Sequence, residues 1–575
     1  MQIVTTANHG RRWLDHYRTV PSTFEPANRT ALDMFRATVG RVRDTALVHY
    51  FDHSLTAGTV DWMSDALAVA LQQRGVRHGD RIAMHMQNVP QVLLTLLAAW
   101  KCGAIVVPCN PMLKPRELEK ILVDSAAAVL VCQDDLYAES GEAAADAAGV
   151  PHVITTSALD FLAPGTVAPA LLAGVRRERQ LGTPDLISLI ARHEHHVPAP
   201  VALDGDDAAF MIYTSGTTGE PKAATNTHRN VVFATGIYER WLGLTRHDTI
   251  LGLAPLSHVT GLVAHATLSM LSGSPLVLFY RFDAEEACRL IERHRATFTV
   301  SAVTAFIAML ASPAMNRYDL SSLTKVYTGG APTPSRVLTE WQTRAGSRLH
   351  PMYGLTEATS PTHMTPYGAV PPVDPATGVT SIGVPVCNTD VRVITECGQE
   401  AAPGEIGELR IAGPQIIPGY WNRPAETAAS IPGAELRTGD IGFMDEEGWF
   451  YLVGRAKDMI VASGFKVWPR EVEDVLYLHP AVREAPVVGV PDWYRGETVK
   501  AVVSLKPGHA VTPGELKEFA RGQLAAFKAP RLVEIVDELP KTASGKILRR
   551  LLVPDAAHVA PQVGLRPISH LPAVS

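Results

Sequence analysis

Between residues 60 and 400 helical patterns alternate with short apolar runs, and that alternation limits the fold more than any other feature of the chain. Trp62 to Gly75 reads as a helix, Arg81 to His85 as a strand, Pro90 to Cys102 as a helix and Ala104 to Val107 as a strand. Lys114 to Ser125 follows as a helix and Ala128 to Cys132 as a strand. Runs of this length buried on both faces, joined by amphipathic helices, predict βαβ units around a largely parallel sheet. Past about residue 380 the texture changes to short β segments such as Thr389–Ile394, Gly407–Ile411 and Trp449–Val453, separated by Gly, Pro and Asp clusters. Gly454-Arg-Ala-Lys-Asp458 is small and charged and reads as a hinge. Beyond it a compact unit is expected, with helices Pro469–Leu478 and Thr512–Gln523 and strands Ala485–Val490 and Thr498–Leu505. The expected divisions are a large domain over 1–455, a small one over 456–553 and a loose tail over 554–575. Residues 1–30 read as a lead-in draped over the first domain, and the Pro-, Arg- and His-rich residues 163–200 as a surface excursion.

Other classes are disfavoured by composition. At 575 residues the chain is too long for one compact core. Its 46% hydrophobic and 19% charged residues are ordinary for a globular protein, and a net charge of −6 gives no reason to expect nucleic acid as a partner. The six cysteines form no C-x-x-C pair and no cluster with His at metal spacing, so they read as buried or half-buried thiols in a reducing compartment. The apolar stretches Val92–Trp100 and Leu262–Tyr280 are too short or too broken to span a bilayer, and the N-terminus lacks a signal-peptide pattern. A cytoplasmic protein without a transmembrane segment is expected.

The sharpest local signal is Tyr213-Thr-Ser-Gly-Thr-Thr-Gly-Glu-Pro-Lys222, after the apolar run Ala208–Ile212. Glycines and small hydroxyl residues let backbone N–H groups converge on phosphate oxygens. Thr214, Ser215, Gly216, Thr217, Thr218 and Gly219 form the cradle, and Lys222 adds a point charge. Pro221 separates Gly219 from Lys222, so this is not a Walker A loop. The string resembles the phosphate-binding signature of the adenylate-forming superfamily, which includes acyl-CoA synthetases, peptide-synthetase adenylation domains and luciferases. Tyr353-Gly-Leu-Thr-Glu357, Tyr420-Trp-Asn-Arg-Pro424, Thr438-Gly-Asp440, Gly454–Asp458, Ser463-Gly-Phe-Lys466 and Pro540-Lys-Thr-Ala-Ser-Gly-Lys546 resemble further motifs, in the family's order, from about 60 to 550. The resemblance implies α/β sheets plus a distorted β-barrel subdomain in the large domain, and a small mobile α+β C-terminal domain.

It also implies an ATP-dependent acid–CoA ligase that makes an acyl-adenylate and then a thioester. By that resemblance Thr356 and Glu357 lie near the α-phosphate, with Glu357 holding Mg2+, for which carboxylate oxygen is suitable chemistry. Tyr353 stacks on adenine, Asp440 accepts from the ribose hydroxyls and Arg455 adds a second ribose contact. Lys546 bridges the substrate carboxylate and the α-phosphate. Lys457 is the hinge about which the small domain rotates, bringing Gly464 toward the thiol. Taken alone, Asp440 reads as a turn residue and Lys546 as a solvated lysine; the resemblance reverses both readings.

His258, Val259, Leu262, Val303, Gly329, Gly330 and Ala331 fall where the family lines its acid pocket. No acidic residue lies near His258 in sequence, which favours an uncharged acyl group over an amino acid. Coenzyme A is the favoured acceptor, because the phosphate loop is ordinary and no insertion precedes the hinge. A carrier-protein thiol is the alternative, and a nucleotide-binding protein without chemistry is a third reading. A monomer and a homodimer both accord with the sequence.

Overall fold

The computed structural model describes residues 11–17, 20–163, 169–178, 180, 182–214, 221–462, 465–492, 496–542 and 546–553. Two compact units emerge: Met1–Lys457 with Lys541–Lys546, and Asp458–Pro540 with Ile547–Ser575. In sequence the division falls between Lys457 and Asp458. The short apolar runs of the sequence become two large sheets in the first unit.

One has six strands, in the order His152–Thr156, Ala127–Gln133, Arg81–His85, Ile105–Cys109, Ala208–Thr214 and Lys222–Thr227. Its first five strands are parallel and the last pairs antiparallel. The helices Gln91–Lys101 and Pro115–Ser125 supply crossovers, and Ala57–Gln73 leads from the other sheet into Arg81–His85; each lies within about five residues of its sequence-based bounds. The second sheet has nine strands, with Ile250–Leu251, Phe298–Ala302, Lys325–Gly329 and Leu349–Leu355 running parallel at its centre. The β-rich part is a four-stranded antiparallel sheet of Asp390–Ile394, Gly407–Ala412, Leu436–Met444 and Phe450–Arg455. The smaller unit is α+β: the long strand Gly496–Leu505 pairs with several neighbours, and the helices Pro469–Tyr477 and Pro513–Arg521 bury Val472, Leu476, Leu516 and Ala520. Among the described residues no helix is long and apolar enough to cross a membrane.

Two expectations need correction. The excursion over 163–200 is not all surface: Asp185 caps a helix over Leu186–Arg192 that buries Leu186, Leu189 and Ile190. Three apolar residues at i, i+3 and i+4 spacing are enough to dock this helix of about two turns. Of the six thiols, Cys397 is exposed, because it sits in the turn after Asp390–Ile394; the other five are buried. The lead-in does drape over the first unit where it is described. Trp13 is buried and meets Phe450 edge-on with ring centroids 5.8 Å apart, and Phe24 stacks on Phe233 with centroids 4.8 Å apart. The expected tail, 554–575, lies outside the described residues.

Burial holds His85, His228 and His350 near pKa 4 and His265 and His363 near 3, far below the ordinary imidazole value. Each takes up a proton on unfolding once the pH falls below about 6.5. Stability is therefore lost as pH drops from about 6.5 toward 4, by roughly 1.4 kcal/mol per pH unit for each fully released histidine. Asp134 and Asp474, raised by burial to about 6 and about 7, act in the opposite sense and offset part of this. Thermal unfolding followed from pH 7.5 to 4.5 is expected to show a falling Tm with net proton uptake; a flat profile would contradict it.

Candidate active site

The C-terminal ends of neighbouring parallel strands are where open α/β sheets present ligand-binding loops. Four of them meet here. Ile250–Leu251 leads into the loop carrying His258, and Phe298–Ala302 leads to Val303. Lys325–Gly329 leads to Gly330 and Ala331, and Leu349–Leu355 to Thr356 and Glu357. Ala302 and Gly329 are register partners, so Val303 and Gly330 leave the sheet side by side. Val259, Leu262 and Val303 are buried, and Gly329 and Ala331 half-buried. Asn88 pins the His258 loop: its amide nitrogen donates to the carbonyls of Gly252 (3.3 Å) and Ala254 (3.1 Å), and its oxygen accepts from Leu256 N at 2.8 Å. The half-buried His258 imidazole is lowered to about 4 by desolvation, with the Lys546 ammonium acting in the same direction. It is neutral at physiological pH and accepts from Thr260 N through Nδ1 at 3.3 Å.

Thr356 and Glu357 sit on one helical turn that follows directly from the strand. Thr359 and Ser360 then take φ of +51° and +96°, a strained path for non-glycine residues. Gly354 makes room for it, since a Cβ there would lie 1.5 Å from the Ser360 carbonyl oxygen. Buried Asn226 locks the turn, donating to the Thr356 carbonyl at 3.0 Å and Thr359 Oγ1 at 2.9 Å. Tyr420 is held beside it because residues 419–421 pair with the strand Lys222–Thr227, through Thr225 N to Gly419 O and Trp421 N to Ala223 O. From there the Tyr420 hydroxyl donates to Glu357 Oε1 at 2.8 Å, while Lys222 Nζ lies 5.5 Å from its ring centroid. The hydrogen-bonded carboxylate keeps lone pairs for a hard cation, which fits the Mg2+ expected there. Tyr420→Phe removes that orienting bond and is expected to lower adenylation about 10- to 100-fold, the worth of one hydrogen bond to a charged group. Pyrophosphate release at varied Mg2+ measures it; an unchanged rate at every Mg2+ concentration would refute the orienting role.

Thr214 and Lys222 are register partners at the mouth of the phosphate loop. Ser215, Gly216, Thr217, Thr218 and Gly219 lie outside the described residues, as does Gly464. Tyr213 at the strand end donates to Asp124 Oδ2 at 2.7 Å, and Arg423 Nη2 to Asp124 Oδ1 at 3.0 Å. Tyr353, Asp440 and Arg455 form one group. The Tyr353 hydroxyl donates to Asp440 Oδ2 at 2.6 Å, and Arg455 Nε lies 2.8 Å from Asp440 Oδ1. Asp440 and Arg455 face each other across adjacent strands. Burial and then the Asp440 carboxylate keep the Tyr353 hydroxyl protonated. Lys457 is exposed on the turn Ala456–Asp458. Lys546 is exposed too, its backbone carbonyl accepting from Thr542 N at 2.7 Å.

Sequence reading alone missed Asn88, Asn226 and the role of Tyr420. Only the last carried a signal, as part of a recognised motif without an assigned task. Among the described residues no group of three or more His, Cys, Asp or Glu could hold a metal.

The model of the AMP-binding enzyme family matches residues 35–421, and that of the AMP-binding enzyme C-terminal domain matches 471–546. A long-chain-fatty-acid–CoA ligase of Bacillus subtilis (strain 168) is 36% identical over 554 residues, covering 94% of this chain and 97% of its own. A feruloyl-CoA synthase of Amycolatopsis sp is 36% identical over 483 residues, covering 84% and 90%. Among solved structures, an anthranilate CoA ligase in complex with anthranoyl-AMP superposes with a TM-score of 0.82 at 26% identity, covering 93% of this chain and 97% of that one. The chain belongs to the AMP-binding enzymes, in the family of AMP-forming acyl-CoA synthetases.

Proposed function

We propose that the protein is an ATP-dependent acid–CoA ligase whose acid is a long-chain fatty acid. The near full-length similarity to long-chain-fatty-acid–CoA ligases is the observation that carries the choice of acid. In the first half-reaction a carboxylate oxygen attacks the α-phosphorus of ATP in line, and the bond to pyrophosphate breaks. Asp440 and Arg455 hold the ribose, and Tyr353 lies against the adenine. The Thr214–Gly219 loop and Lys222 hold the outer phosphates. Thr356 lies near the α-phosphate, and Glu357 would hold Mg2+, which would supply neutralising positive charge there. Lys546 supplies positive charge between the two anions as they meet. Neutral His258 sets the position of the acid without adding charge. In the second half-reaction the thiol of coenzyme A attacks the acyl carbonyl and AMP leaves. Rotation about Lys457, which withdraws Lys546 and brings Gly464 to the thiol, is the step assigned to the small domain.

An aryl acid is the second reading, favoured by the similarity to a feruloyl-CoA synthase. Product mass spectrometry with Mg-ATP and acids from acetate to palmitate, benzoate and ferulate, with and without CoA, tests both. Palmitoyl-CoA as the main product supports the first, and feruloyl- or benzoyl-CoA the second. Acyl-AMP that persists despite CoA moves the acceptor to a carrier protein. No adenylate from any acid would overturn the proposal. Sedimentation decides between monomer and homodimer, and fractionation of cells tests the cytoplasmic location.

A further inference from the structure

Within the smaller unit one buried carboxylate gathers three pieces of chain, and one of those pieces begins one residue after Lys546. Glu473, on the helix Pro469–Tyr477, is 5% exposed in its side chain. Its Oε1 accepts from Val487 N at 2.8 Å, at the start of the strand Val487–Asp492, and lies 2.6 Å from Arg549 Nη2. The same guanidinium donates through Nη1 to the Val487 carbonyl, so Arg549 and Glu473 close a ring of contacts around the backbone of one residue. The segment is also held by apolar contacts. Leu552 belongs to a small core with Val488, Val490, Val502 and Leu539, and Ile547 packs against it. Leu548 N donates to the Pro540 carbonyl at 2.8 Å, closing the base of the loop that carries Lys546.

Stability alone does not account for the pair. Glu473 lies beside Asp474 and acts on it, Tyr477 is acted on by both Glu473 and Glu484, and Arg470 is the other nearby cation. A carboxylate among carboxylates is a poor way to hold a small core, and apolar replacement of a buried ion pair is often neutral or stabilising. Direction is what the pair adds. A forked guanidinium bound at two points sets the path of its own backbone, which a lone hydrophobic anchor does not. An ammonium on a long flexible side chain must begin from a fixed Cα to reach its target within a fraction of an ångström.

We propose that Arg549 and Glu473 are positioning residues for the adenylation half-reaction, orienting the chain from which Lys546 projects. The inference rests on the role given above to Lys546. It is tested in the full-length protein with the acid that gives most product in the panel. Pyrophosphate release and thioester formation from preformed acyl-AMP are measured separately. Arg549→Met is paired with the double variant Glu473→Gln/Arg549→Met, which leaves no buried charge without its partner. Circular dichroism and limited proteolysis confirm that the double variant is folded. Both variants are expected to lose about 10- to 100-fold in the kcat of adenylation, the effect of misplacing a reacting group by about 1 Å. The KM for ATP and the thioester step are expected to stay within about 3-fold. Arg549→Lys, which keeps the charge without the fork, is expected to recover part of the rate. A folded double variant with wild-type adenylation, or with equal losses in both half-reactions, overturns the inference. Lys546→Ala is run in parallel. If it spares adenylation or lowers both steps equally, the role of Lys546 falls and this inference with it. If it selectively loses adenylation while the Arg549 variants do not, only the inference falls.

Discussion

Lys546→Ala is expected to lower pyrophosphate release about 1,000-fold and to leave thioester formation from preformed acyl-AMP within about 3-fold of the parent. The size follows from the charge the lysine neutralises. A unit charge 4 Å from the reacting oxygens is worth about 4 kcal/mol at an effective dielectric near 20, and each 1.4 kcal/mol is a factor of ten. Thiol attack on the adenylate brings no second anion to the α-phosphate, so that step has little use for the ammonium. The variant has a spectroscopic signature as well. Lys546 is one of two influences lowering His258, so its removal raises that pKa from about 4, while desolvation still holds it below the ordinary value. Histidine NMR titration reads the shift. Equal loss of both half-reactions would remove Lys546 from the role assigned to it.

Asp440→Ala is expected to raise the KM for ATP about 100-fold and to lower the thermal stability of the large unit. Asp440 is 4% exposed, and its two oxygens meet Tyr353 at 2.6 Å and Arg455 at 2.8 Å. Truncation leaves the buried Tyr353 hydroxyl without its acceptor, at about 1–3 kcal/mol. The Arg455 side chain is 36% exposed, so water takes over part of its loss. Against the nucleotide the loss is larger, because a fixed carboxylate accepts from both ribose hydroxyls and alanine accepts from neither. Asp440→Asn retains an oxygen acceptor and the side-chain volume, so an intermediate KM is expected. Calorimetry and ATP titration test both outcomes. An alanine variant with parental KM for ATP would refute the ribose role, whatever its Tm.

The chain's class, the order of its units and the identities of most candidate site residues were legible in the sequence by itself. Apolar periodicity is local, so the strands at 81–85, 105–109 and 127–133 and the helices between them could be read from windows of a dozen residues. Motif strings are local too, and they named Lys222, Glu357, Asp440 and Lys546. The tertiary structure alone decided what these groups touch. Tyr353 and Asp440 are 87 residues apart and Tyr420 and Glu357 are 63 apart. No pattern within either segment states that they will share a hydrogen bond. The neutrality of His258 likewise comes from desolvation by distant segments, and the roles of Asn88 and Asn226 from carbonyls more than a hundred residues away. Sequence periodicity reports which face of an element is apolar. Which polar groups meet across those faces depends on register and packing between elements, and that is settled only when the sheets assemble.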